Sequence, residues 1–109
     1  MRIVNLSDVP AAAERFVAAS LVETASSSLR VIRLAPGQEL PPHTHGASDL
    51  LLVVAAGTTT LETEDGAVLL AEGSVAVLSG DEELRAANRG DDAVTLLAFL
   101  SPPFPPRPA

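Results

Sequence analysis

The stretch GQELPPHTHGASDLLLVVAAG, residues 37–57, decides how this chain folds. Pro41 and Pro42 fix extended backbone and cannot continue a helix. His43 and His45, the chain's two histidines, follow at once, and then comes the unbroken apolar run 50–56. Successive side chains of an extended segment alternate between faces, so His43 and His45, at i and i+2, project to the same side. The apolar run is too short to cross a bilayer, and its part 50–54 reads as core on both faces.

Two imidazoles in one triplet suggest a ligand or metal site. Imidazole nitrogen suits zinc, iron, nickel or copper, and two imidazoles plus a carboxylate leave positions free for water or substrate. Asp49 lies six residues past His43 and keeps its parity, which makes it the expected third ligand if the strand stays regular. Gly46 is where a bulge would disturb that parity. The alternative for Asp49 is a carboxylate hydrogen-bonded to the turn around Gly46 and Ala47.

Working outward, the chain breaks into short apolar runs separated by turn residues at Pro36-Gly37, Asp65-Gly66, Glu72-Gly73, Ser79-Gly80 and Arg89-Gly90-Asp91. Strands are predicted at 14–23, 29–34, 48–55, 58–64, 67–70, 74–78, 83–88 and 93–101, a spacing that belongs to sandwiches and barrels. The segments flanking Asp65-Gly66 form the clearest hairpin, since Asp-Gly supplies the positive φ of a primed turn. Ser7 or Asp8, with Pro10 and three alanines after it, predicts one short helix or turn near the N-terminus. The tail 102–109, with five prolines around Phe104, cannot join a central ladder. It is either a frayed end or a strap that lays Phe104 over the barrel or a partner subunit.

At 109 residues with no visible internal repeat, the chain is one domain, with its barrel core at about 14–101. Tyr and Trp are absent and Phe occurs three times, so the core is aliphatic. The net charge is −7, with seven Arg and no Lys, which disfavours a nucleic-acid partner. The absence of cysteine removes disulfides, zinc-thiolate sites and thiol catalysis. No membrane segment or secretory leader is legible, which makes a cytoplasmic location the expectation. No nucleophile elbow, phosphate-cradling loop or dinucleotide fingerprint appears. Arg30, Arg33 and Arg85 are expected on solvated strand faces, where an inward one would neutralise a carboxylate substrate.

The stretch 37–57 resembles the first motif of the cupin family: a glycine, five residues, His-x-His, three or four residues, a glutamate, six residues, and a glycine. Gly37, His43, His45 and Gly57 match at the family spacing. Counting forward from His45 puts Asp49 at the glutamate position, and counting back from Gly57 puts Leu50 there. The second cupin motif is degraded in GSVAVLSGDEELRAANRGDD, residues 73–92. Gly73, Gly80 and Asn88 are its landmarks, Leu78 replaces its proline, and its histidine is missing. Counting from Gly80 places Glu83 at that position, and counting back from Asn88 places Leu84 there.

The resemblance implies an all-β fold: a single-domain antiparallel jelly-roll β-barrel, forming a homodimer. It also implies a divalent metal ion (Zn, Fe, Mn, Ni or Cu) held by His43, His45, Asp49 and Glu83, with a small-molecule ligand or substrate. The function expected is a small cupin with such a site. Two alternatives stand beside it: a metal-dependent dioxygenase or isomerase acting on a small oxygenated molecule, and a non-catalytic ligand-binding or regulatory cupin that has lost its metal.

Overall fold

The computed structural model describes residues 1–105. Eight strands follow a single 3-10 turn: β1 (Val17–Glu23), β2 (Ser28–Leu34), β3 (Asp49–Ala56), β4 (Thr58–Thr63), β5 (Gly66–Ala71), β6 (Val75–Leu78), β7 (Ala86–Ala87) and β8 (Val94–Ser101). They form a five-stranded sheet in the order β1-β2-β8-β3-β6 and a three-stranded sheet in the order β5-β4-β7. Every paired neighbour is antiparallel. All eight predicted strands are present, although the one expected at 83–88 shrinks to two residues.

The core lies between the sheets. On β3, Leu50, Leu52 and Val54 are buried and alternate with outward Asp49, Leu51 and Val53, so the run expected to be core on both faces is buried on one. Their cross-strand partners on β8 are Leu100, Ala98 and Leu96. Leu40, Leu61, Leu84 and Ala86 join the same cluster. Each fully buried leucine contributes about 1.5–3 kcal/mol, so this aliphatic layer replaces the missing aromatics.

The N-terminal turn spans Leu6–Asp8 and stops before the predicted Pro10-Ala13 segment. Asn5 caps it, and its side-chain Oδ1 accepts from the Ser7 amide. Val9 is extended, as the residue before a proline prefers. Arg33 ties this segment down by donating to the Leu6 carbonyl at 2.7 Å and to Thr95 Oγ1 at 2.9 Å.

The β4–β5 hairpin is present with a different turn. Thr63 pairs with Gly66, so Glu64 and Asp65 form the loop, and Gly66 alone takes positive φ, at 117°. Thr63 Oγ1 donates to the Gly66 carbonyl and accepts from the Asp65 amide, which stabilises this turn. No helix among the described residues is long and apolar enough to cross a membrane.

Candidate functional site

The segment carrying the histidines runs antiparallel to residues 80–88. Leu40 N donates to Ala86 O, His43 and Leu84 exchange backbone hydrogen bonds at 3.3 and 2.8 Å, and His45 N donates to Gly80 O at 2.8 Å. Both ends of the loop are therefore held by backbone, and the imidazoles are brought together. Their ring centroids are 4.6 Å apart at an interplanar angle of 67°.

The two rings sit in different surroundings. His43 is exposed, with Nδ1 2.9 Å from the Pro41 carbonyl. A carbonyl only accepts, so Nδ1 of His43 carries the proton in that contact. His45 is 3% exposed, and its Nδ1 has no hydrogen-bond partner. The Phe104 ring meets His45 edge-on, with centroids 5.4 Å apart. The tail through Phe104 thus forms a strap over His45, fastened where Ser48 Oγ donates to the Pro102 carbonyl at 2.7 Å. The rest of the proline tail, residues 106–109, lies outside the described residues.

Ala25, His45, Ala47, Ser48, Pro102, Pro103 and Phe104 line an open cleft of about 320 Å³. The β1–β2 turn supplies Ala25, which nothing in the sequence flagged, and Phe104 was legible only as the aromatic of the proline tail.

Asp49 and Glu83 do not reach the histidines. Asp49 begins β3 on its outward face, opposite in parity to buried Leu50. There it lines a separate cleft of about 550 Å³ with Leu51, Val77 and Phe99. Four residues, 46–49, separate His45 from Leu50, so the family's longer spacing applies and Leu50 holds the glutamate position. Glu83 is exposed and paired with Arg85, while Leu84 is 1% exposed inside. Leu84 therefore stands where the second motif has its histidine. Arg30 donates to the Ala18 carbonyl, so the bonds of the three strand arginines all go to sites other than the histidine pair.

Asn88 is buried and structural. Its side chain donates to the carbonyls of Leu34 and Asp92 and accepts from Gly90 N. Gly80 is a close-approach glycine, because a Cβ built there falls 1.9 Å from the Gly46 carbonyl oxygen.

Residues 30–100 match the cupin domain family. The chain is a cupin. Solved structures share the fold. A conserved protein with a double-stranded β-helix domain from Klebsiella pneumoniae is 21% identical, with a TM-score of 0.84 over 94% of this chain and 90% of that one. An RmlC-like cupin from Desulfovibrio desulfuricans is 25% identical, with a TM-score of 0.81 over 95% and 99%. A cupin with a double-stranded β-helix fold from Methanocaldococcus jannaschii is 19% identical, with a TM-score of 0.78 over 94% and 91%. No curated protein matches the sequence.

The cupin fold brings with it the expectation of a metal. A protein-held catalytic zinc takes three protein ligands and an open position. Among the described residues no group of three or more His, Cys, Asp or Glu side chains converges, and residues 106–109 are Pro-Arg-Pro-Ala. Two imidazoles with no converging carboxylate or third imidazole among the described residues do not fit a three-ligand centre.

Burial, and secondarily the charge of His43, hold the pKa of His45 below the usual imidazole range. The unfolded chain therefore binds a proton first as pH falls. This contribution to stability is complete above about pH 6.5 and is lost as pH drops from there through the folded value. Urea midpoints measured between about pH 7.5 and about pH 5.5 should fall more in the wild type than in His45→Gln. Equal falls would contradict a buried neutral ring.

Proposed function

We propose that this cupin binds a small organic ligand at the mouth of its barrel, against His45, without a resident metal. The observation that carries the reading is the unpartnered Nδ1 of a buried imidazole that lines an apolar cleft. An unmade buried hydrogen bond costs about 1–3 kcal/mol, and a ligand that draws the ring toward the cleft and supplies a partner recovers it. The strap supports the same reading, since Pro103 and Phe104 wall the cleft with side chains from outside the metal motifs. Leu50 and Leu84 make the floor of the barrel apolar at the two positions where cupin motifs carry a carboxylate and an imidazole.

Fragment binding to the ¹⁵N-labelled full chain tests this. Fragments should shift the amides of Ala25, His45, Gly46, Ala47, Ser48 and Phe104. Hits that move Leu51, Val77 and Phe99 instead would relocate the site to the outer cleft and overturn the proposal, as would a panel with no hits.

A further inference from the structure

The outer face of the five-stranded sheet carries an exposed apolar row. Leu51 on β3 pairs with Val77 on β6 and with Phe99 on β8, so the three side chains lie side by side. All three are exposed, Val77 by 71%. Val75, also exposed, extends the row along β6, the edge strand of the sheet. An apolar edge of this kind invites another chain, and folded proteins cover it or charge it. Among the described residues, the charged side chains lining the cleft on this row are Asp49 and Glu82, which give it a negative rim.

The same face anchors a segment of complementary character. Residues 1–5 belong to no helix or strand, and Ile3 is 80% exposed, with Met1 and Arg2 exposed beside it. The segment is held where Arg33 donates to the Leu6 carbonyl and to Thr95 Oγ1. Arg33 and Thr95 are cross-strand partners. Thr95 begins the outward row of β8 that continues through Leu97 and Phe99 to Ser101, the partner of Asp49. Anchor and cleft therefore lie at opposite ends of one face, about 20 Å apart along the strand. Residues 1–5 do not line the cleft of their own chain.

A twofold axis that crosses the strands turns one copy end for end and lays its anchor over the other's cleft. Met1 and Ile3 then meet an apolar floor, Arg2 meets a carboxylate rim, and the match is made twice. A surface complementary to itself in this way closes as a dimer. The two arginine contacts also offset the net charge of −7, which otherwise keeps two copies apart.

We propose that a second copy covers the outer face, sheet against sheet, and that residues 1–4 of each chain lie in the other's outer cleft. Ile3 packs on Leu51, Val77 and Phe99, and Arg2 faces Asp49 and Glu82.

Sedimentation equilibrium of the full chain tests this. The wild type should sediment at twice the 11.2 kDa of one chain. Val77→Asp alters an exposed side chain, so the far-ultraviolet circular dichroism should stay as in the wild type while the dimer dissociates. Arg2→Glu should weaken the dimer at least about tenfold, and Arg107→Ala should leave it unchanged. The chain has no cysteine, so air oxidation of an Ile3→Cys/Val77→Cys variant reports the contact directly. Its disulfides should join two chains, in higher yield than in either single variant.

A wild type at the mass of one chain, or a dimer that survives Val77→Asp, would overturn the interface. A dimer indifferent to Arg2→Glu, a dimer weakened instead by Arg107→Ala, or disulfides formed within one chain would overturn the placement of the segment.

Discussion

Replacing Gly80 with alanine is expected to destabilise the protein by about 3 kcal/mol or more. The added methyl would sit 1.9 Å from the Gly46 carbonyl oxygen, 2.7 Å from its carbonyl carbon and 2.8 Å from the Ser48 carbonyl oxygen. All three are backbone atoms, so no side-chain rotation relieves the overlap. The histidine loop must move away from residues 79–80, which breaks the 2.8 Å bond from His45 N to Gly80 O. The loss is a large share of the total stability of a domain of this size, which is of order 5–15 kcal/mol. Thermal unfolding followed by far-ultraviolet circular dichroism should show a drop of more than about 10 °C. Gly90→Ala is the control, because its nearest contact would be an ordinary 3.7 Å to Asn88 Oδ1. Equal behaviour of the two variants would contradict the close approach.

The second large effect is a gain. Leu50→Glu together with Leu84→His should add a carboxylate and a third imidazole to the histidine pair and so create a metal site. Leu84 is already bridged to His43 through two backbone hydrogen bonds, so an imidazole there joins the existing pair. A glutamate at position 50 starts from the inward face of β3. The double variant should be less stable than wild type without metal, because it replaces two core leucines with polar groups. Zinc or nickel should restore it by mass action, by about 2.7 kcal/mol at a hundredfold excess over Kd. The readout is the change in unfolding temperature on adding metal, large in the variant and absent in the wild type. No metal response in a folded double variant would mean that Leu50 and Leu84 do not face the histidines.

Much of this was legible in the sequence, for local reasons. Pro, Gly and Asp punctuation marked all eight strands, and period-2 alternation brought His43 and His45 to one side. The ligand set was harder because it depended on parity. Asp49 and Leu50 are adjacent, and a one-residue difference in register exchanges inside for outside. What places Leu50 inward is its packing with Leu78 and Leu100, contacts made by distant strands. The choice between Glu83 and Leu84 has the same origin, since it is fixed by pairing with His43 across the sheet. The part of Phe104 was undecidable locally, because a proline tail reads alike whether it frays or straps.

The hairpin turn and the N-terminal turn show a smaller effect. In each, a side chain captures backbone groups that general turn preferences do not count: Thr63 in one, Asn5 in the other.

An organic-ligand site that is not half of a metal centre, the proposed role of the histidine pair, should leave the purified chain free of metal. Elemental analysis of the untagged wild-type chain, purified from metal-replete cells, tests it most directly. The wild type should carry well under about 0.1 equivalents of any divalent transition metal per chain, with the Leu50→Glu/Leu84→His variant carrying about one as the positive control. About one equivalent in the wild type, lost on His43→Ala/His45→Ala, would contradict it.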